Sequence, residues 1–520
     1  MSRISTRFGA ILTAVTILEA GLSLAIAQSS TSRQLGPCEK IGVACESAGF
    51  KQDEAPQGKR LRQDCMTPLL QGQSRPASAM PLPVIAPELK AACLAAQPSF
   101  AKPRSEASAT GASLTFTVSD PTLFMDQQQL RGYGFAAGPS DGPFGAIQNG
   151  EGHYRFLGPA WGSDKCPPGA RREGVFAFSG TLSRVTAGQG CRILFSGGDG
   201  PHGWIFNANY SGGGQIIPIA AKGNHGWLMS FRGEYHWKNP ARPDGLCGGV
   251  GVFAGGVPCY YSTLGLAVST DGGWTFKVAG ESVQLTDPLS ASKGRNVNRN
   301  IGYGSLVVAD ANGKHLDNPP PDPKAAYVYL FFVSSGQDLP GPCVQAQCPG
   351  VARARYENVI FTVFSGNPHA VAKLFQKYDA DSKDPWSEPA TGDSPDLSVG
   401  GGKFSPLYLG QGIQMVIYDR AFDVYLGAAV SFQAVRPSFV IRTSRDLIHW
   451  SEPIGPVITE GNRWLSYFTL LGETGDPSVS SGEPRLYFRS NPEGKPAYDD
   501  SVFKVVTLKQ IGRASCRERG

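Results

Sequence analysis

The chain has 520 residues and a formal net charge of +5, from 48 Lys and Arg against 43 Asp and Glu; 65 Gly and 40 Pro make about a fifth of it. With 41% hydrophobic and 10% aromatic residues but only 18% charged, it has the apolar material for a core, which excludes disorder, and too much Gly and Pro for coiled coils or helical solenoids. A small positive charge without clustering is not a nucleic-acid footprint, so the composition points to a large all-β protein.

Residues 1–27 have the pattern of a secretory signal peptide: Arg3 and Arg7 ahead of a mostly apolar stretch over 11–24, then Ala25-Ile26-Ala27 as a small-residue cleavage site. Glu19 interrupts the stretch, and the uninterrupted apolar run is too short to span a bilayer, so no stable membrane insertion is expected after cleavage. The expected location is exported, periplasmic or extracellular. Residues 28–98 form a small module carrying Cys38, Cys45, Cys65 and Cys93, with short helical patterns over 38–49 and 88–96. Four Cys in a small exported unit imply two disulfides, with all three connectivities open. The rival zinc reading lacks both a CxxC knuckle and a His. Residues 99–113 are a Pro-, Ala- and Ser-rich linker.

From 114 to 510 the chain repeats a type of unit: apolar strand pairs, a charged turn, then a strand opening with an aromatic. The expected strands include 226–231 and 263–268, 325–333 and 358–364, 414–418 and 439–443, and finally 485–489 and 501–508. Short strands recurring at tens of residues suggest a β-propeller of five blades of four antiparallel strands. Six blades or a pair of β-sandwiches are the competitors. Trp-Ser-Glu-Pro occurs twice, at 386–389 and 450–453, which supports internal repetition. Residues 511–520 carry no apolar pattern and resemble a translated sequencing-adapter read. Without Cys516 ten cysteines remain, enough for five disulfides. The later ones form sequence-local pairs: Cys166 with Cys191, Cys247 with Cys259, and Cys343 with Cys348.

Ser269-Thr-Asp271-Gly-Gly273-Trp-Thr-Phe276 resembles the Asp box of sialidase-like propellers. In it Asp271 can accept turn N–H groups, Gly273 can take φ > 0 and the final aromatic can pack between sheets. Residues 444–453 resemble a blade turn of five-bladed glycosidases acting on arabinosyl, xylosyl and fructosyl linkages. The resemblance implies a propeller with glycan chemistry at its central mouth. The Arg triad of sialidases and the acidic signatures of fructosidases are absent, so a site has to come from individual residues.

Glycoside hydrolysis uses two carboxyl groups about 5–9.5 Å apart. Glu234, between Arg232 and the aromatic group Tyr235, His236 and Trp237, is the first candidate, with a rim ion pair to Arg232 as its structural alternative. Asp141 and Asp199, in Gly-rich turns, and Asp419 and Glu473, after later strands, are further candidates. Trp204, Tyr210, Trp227, Tyr235 and Trp237, with His236, could stack on and read a sugar, or could be inter-blade core. No zinc spacing, EF-hand loop or phosphate loop is present, so no metal or cofactor is expected. The expected function is a secreted glycoside hydrolase with a carbohydrate substrate. The alternatives are a non-catalytic carbohydrate-binding propeller and a protein-interaction scaffold; the sequence leaves the oligomeric state open.

Overall fold

The computed structural model describes residues 36–51, 61–71, 80–96, 115–137, 142–168, 173–197, 206, 210–221, 223–237, 259–283, 299–335, 348–392, 401–408, 413–431, 438–458, 460, 463–492 and 501–511. The chain divides into two compact units, 1–110 and 111–520.

In the first unit, α1 (Pro37–Ser47) starts with Pro in its first turn, where a missing N–H costs nothing, and the Gly36 N–H donates to Glu39 Oε2 at 2.7 Å. Gly49, at φ 93°, follows the helix end. A π-helical turn over Leu61–Met66 runs into α2 (Thr67–Gln71), and α3 (Pro87–Ala96) completes the unit. Disulfides join Cys38 to Cys93 and Cys45 to Cys65. Ile41, Phe50 and Leu70 bury themselves around these cysteines. So small a core needs the cross-links.

The second unit is a five-bladed β-propeller. Strands β1 (Thr115–Val118) and β2 (Thr122–Asp126) come first, followed by α4 (Gln127–Gly132), which Asp126 caps by accepting from the Gln129 N–H at 2.7 Å. Blade one holds β3 (Phe135–Ala137), β4 (Gly145–Gly150), β5 (His153–Gly162), β6 (Glu173–Thr181) and β7 (Arg184–Ser196); β3 and β4 both pair with β5 as its inner neighbour. The Cys166–Cys191 disulfide lies within this part of the chain. Blade two holds β8 (Tyr210–Ser211), β9 (Ile216–Ala221), β10 (Asn224–Trp237), β11 (Cys259–Ser269) and β12 (Lys277–Val283). Blade three runs from β13 (Arg299–Asp310) through β14 (Ala326–Ser335) and β15 (Cys348–Arg355) to α5 (Tyr356–Phe364), β16 (Gln376–Lys377) and β17 (Glu388–Pro389). Cys348 is disulfide-bonded; Cys343 and Cys247, and the side chain of Cys259, lie outside the described residues.

Blade four is β18 (Ile413–Asp419), β19 (Val424–Ser431), β20 (Ser438–Ser444) and β21 (Ile454–Ile458). Blade five is β22 (Arg463–Leu471), the short β23 (Val479–Ser480), β24 (Arg485–Pro492) and β25 (Val502–Ile511); β23 leaves its own blade to pair in parallel with β18. The ring closes because β1 and β2, from the start of the unit, pair antiparallel with β25 at its end. Ile511 pairs with Thr115, so the last strand extends three residues past the expected 508 and includes the first residue of the adapter-like string.

The aromatic excess lies between the blades. Phe124, Phe144, Phe156, Tyr487 and Phe503 form one seam between blades five and one. Tyr329, Phe331, Tyr425 and Trp450 form another between blades three and four. One expected strand is a helix: residues 358–364 fall in α5. The β-branched and aromatic run suggested a strand, but the buried residues Tyr356, Val359, Ile360 and Val363 recur at helical spacing. Gly366, at φ 87°, follows the helix end. The strand of that blade is β15, which lies earlier in the chain.

Candidate functional site

The first strands of the blades meet at the axis. Gln215, fully buried between β8 and β9, donates from Nε2 to the Val416 carbonyl of blade four at 3.0 Å. Its Oε1 accepts from the Leu306 N–H of blade three at 2.7 Å and from the Ser305 hydroxyl. Ser305 Oγ also accepts from the Val416 N–H at 2.8 Å. On the other side of the ring the Phe144 N–H donates to Thr469 Oγ1 of blade five at 2.9 Å. Gln215 thus ties three inner strands together at a level between the ends at which they begin and finish.

Glu234 belongs to the beginning end. It pairs in register with Tyr210, at the start of blade two's inner strand, and with Ser262, which is beside Asn300 at the start of β13. Glu234 Oε1 lies 2.6 Å from the Arg232 guanidinium, and both side chains are largely buried, at 15% and 12% exposed. Arg232 Nε donates to Ser262 Oγ at 2.8 Å, and Ser262 in turn donates to the Ile301 carbonyl at 2.8 Å. The Arg232 guanidinium also lies 5.9 Å from the Tyr303 ring centre. The structure therefore contains the ion pair weighed as the structural alternative for Glu234. Trp204, Asp141 and Asp199 lie outside the described residues, as do the side chains of Tyr210, Tyr235, His236 and Trp237.

Trp227 is not part of a single platform with Trp237. The two sit ten residues apart on β10, roughly 33 Å along an extended strand, and Trp227 packs against the inter-blade core. The distance follows from their sharing one continuous strand.

Asp419 and Glu473 come together at the finishing end. Asp419 closes β18, is fully buried, and accepts from the Ala421 N–H at 2.9 Å. Burial pushes its carboxyl upward and nearby Glu473 adds to this, against hydrogen bonds from Ser480 and the turn backbone. Glu473 accepts from Ser480 Oγ at 2.8 Å and from the Ser481 N–H at 2.7 Å. Counting residues along β13 and β18 through the Gln215 level places this pair about 25 Å along the axis from Glu234, far beyond glycosidase spacing. In the structure the two hold the turns where blades four and five meet, and both hydrogen-bond Ser480.

The same end holds His315, stacked on Tyr418 with ring centres 3.8 Å apart and set 3.6 Å from Asp317. Burial holds this imidazole down at about 4, outweighing the pull of Asp317. Burial, reinforced by a hydrogen bond to Asp423, pushes the Tyr418 hydroxyl up.

The turn after β11 belongs to this end as well. Asp271 accepts from the Trp274 N–H at 3.0 Å, the Thr275 N–H at 2.9 Å and Thr275 Oγ1 at 2.6 Å, while Ser269 Oγ takes the Gly273 N–H at 2.9 Å. Burial opposes its ionisation, but the bonds from Thr275, Ser269 and Trp274 win and hold the carboxyl at about 2. Gly273, at φ 82°, takes a conformation that other residues rarely adopt, and a Cβ there would crowd the end of the Ile147 side chain. Arg155 of blade one donates to its carbonyl and lies 4.5 Å over the Trp274 ring. Ser444 and Asp446 make the same turn after β20.

The sequence reading missed three residues at the beginning end of blade five. Trp464, second residue of β22, is 49% exposed. Tyr467 takes a left-handed φ of 42° at a β-bulge, and Arg489 lies 5.9 Å from its ring centre. The signal available was a Trp at the opening of a blade's innermost strand.

Among the described residues, no cluster of His, Cys, Asp or Glu could hold a metal ion, and no helix is long and apolar enough to cross a membrane. No protein-family model and no curated protein matches the sequence. Solved structures similar in fold include a GH62 hydrolase in complex with xylotriose (10% identity over 76% of this chain and 98% of the other, TM-score 0.39). A family 117 glycoside hydrolase of the marine bacterium Zobellia galactanivorans is similar at 8% identity, over 76% and 91% of the two chains, with TM-score 0.40. The catalytic domain of the Coprinopsis cinerea GH62 alpha-L-arabinofuranosidase is similar at 9% identity, over 77% and 98%, with TM-score 0.37. The chemistry of this chain has to be read from its own residues.

Proposed function

We propose that this propeller is an exported glycoside hydrolase that works at the end where its inner strands begin, with Glu234 as one of two carboxylates. The observation that carries the reading is the Arg232–Glu234 pair, fixed through Ser262 to the start of blade three. A guanidinium at 2.6 Å favours the ionised carboxylate, which suits a nucleophile or base better than a general acid. In sequence, Asp199 shortly precedes the inner strand of blade two and Asp141 falls between β3 and β4. Either is a candidate for the partner acid. Disulfides in both units fit an oxidising compartment, and the resemblance of the 269–276 and 444–453 turns to sialidase-like and five-bladed glycosidase propellers supports a carbohydrate substrate.

The test is release of reducing ends from a panel of polysaccharides, among them arabinoxylan, arabinan, mannan and agarose. The wild-type chain should cleave at least one, and Glu234→Gln should lower kcat on it by about 10²–10⁴-fold, the usual range for a positioned acid–base group. Full activity of the variant would remove Glu234 from the chemistry. A non-catalytic carbohydrate-binding propeller is the second reading, favoured by the exposed Trp464; it predicts retention of a glycan without cleavage.

A further inference from the structure

We infer that Trp464 and Tyr467 form a stacking wall for sugar rings on blade five, at the beginning end of the axis. This rests on the glycan reading above and deepens it by assigning a binding surface that does not depend on Glu234. Four observations converge on the segment. Leu465 turns into the core between blades four and five, so its neighbour Trp464 is directed to the other side of the strand. Yet its indole remains 49% exposed on the innermost strand of a blade, where a large apolar side chain would ordinarily be covered.

The backbone beside it is also shaped for presentation. The ladder between β22 and β24 slips between Ser466 and Phe468, and Tyr467 occupies the bulge at φ 42°. A bulky residue in the left-handed region is a strained choice that Gly would relieve. Bulges of this kind re-aim side chains and gather next to active sites. The strained segment is held from behind: Asn491 Nδ2 donates to Ser466 Oγ at 3.1 Å and to the Trp464 carbonyl at 3.4 Å. Arg489, itself buried, backs the Tyr467 ring at 5.9 Å.

Blade three repeats the device. Its inner strand slips between Gly302 and Ser305, and Tyr303 sits in the slip at φ 57° with Arg232 5.9 Å from its ring centre. Two inner strands on non-adjacent blades thus each carry a left-handed tyrosine beside an arginine, on the same side of the Gln215 level as Glu234. Flat aromatic faces suit the C–H faces of pyranose and furanose rings. The ligand class that fits is therefore a neutral oligosaccharide or polysaccharide chain, held by stacking at blade five.

Affinity electrophoresis of the full chain in gels containing arabinoxylan, arabinan, mannan or agarose tests this. Trp464→Ala removes an exposed side chain and should fold as the wild type does. On any polysaccharide that retards the wild type, it should weaken retention about tenfold or more. Trp274→Ala is the control, since Trp274 is equally exposed, at 52%, but lies at the opposite end of the blades; it should leave retention unchanged. Tyr467→Gly relieves the strained φ, so it should be at least as stable to urea as the wild type and yet bind more weakly. Retention unchanged in Trp464→Ala while the wild type binds and cleaves would overturn the stacking wall and leave the hydrolase reading standing. A wild type retarded by none of the four would overturn the wall together with the glycan reading on which it rests.

Discussion

The side-chain amide of Gln215 on blade two donates to the backbone carbonyl of Val416 on blade four, at 3.0 Å, across the axis of the propeller. Its oxygen is bonded to Leu306 and Ser305 of blade three, so one amide satisfies polar groups from two other blades. The bonds join the inner strands at a level between Glu234, at their beginning end, and Asp419, at their finishing end.

Replacing Gln215 by Leu keeps the bulk but orphans the Leu306 N–H in a dry site, while the Val416 carbonyl keeps the Ser305 hydroxyl at 3.1 Å. A buried unsatisfied group costs ~1–3 kcal/mol, so Gln215→Leu should lose about 1–3 kcal/mol of stability. The measurement is the urea midpoint at unchanged m-value.

The seam between blades five and one depends on Phe124 of β2, whose ring lies 4.7 Å from Tyr487 and 5.2 Å from Phe156. Phe124→Ala should cost ~3–5 kcal/mol. Since β2 pairs with β25, hydrogen exchange in β25 should accelerate ahead of exchange in blade three.

His315 gives the fold an acid-sensitive point. Its folded value near 4 lies below the ordinary 6.5, so the unfolded chain binds the extra proton first as pH falls. Stability is complete above about 6.5, falls between about 6.5 and 4, and levels off below. The full linkage is at most about 3 kcal/mol. Asp317, Arg420 and Asp423 share its surroundings, and a His315→Gln chain should lose this segment of the pH–stability curve.

Asp271 acts lower on the scale and by the opposite route. A carboxyl held at about 2 against an ordinary 3.8 contributes stability above 3.8 that is lost as pH falls toward 2. Asp271→Ala should cost about 1 kcal/mol near neutrality, comparable to the loss of a helix cap, and should flatten the curve in that window.

These turns were legible in the sequence because they are local. Ser269, Asp271, Gly273, Trp274 and Thr275 satisfy one another within seven residues, and Ser444, Asp446 and Trp450 close a similar turn. Strand alternation made the propeller legible for the same reason. Residues 358–364 were misread because their composition suits a strand while their spacing suits a helix, and only the spacing decides burial. The site was harder to see because propeller sites gather residues from different blades: Gln215, Ser305 and Val416 span some 200 positions. Glu234 stood out by its aromatic neighbours, but nothing nearby in sequence revealed that Asp419 and Glu473 belong to the other end of the axis. For Trp464 the sequence offers one signal, its place at the opening of a blade's innermost strand.

The decisive measurement is kcat/KM on a cleaved polysaccharide for Glu234→Gln and Glu473→Gln side by side. Activity at the beginning end of the inner strands requires a fall of about 10²–10⁴-fold for Glu234→Gln and a change of no more than about threefold for Glu473→Gln. A large loss for Glu473→Gln with Glu234→Gln unaffected would put the chemistry at the finishing end and contradict the assignment.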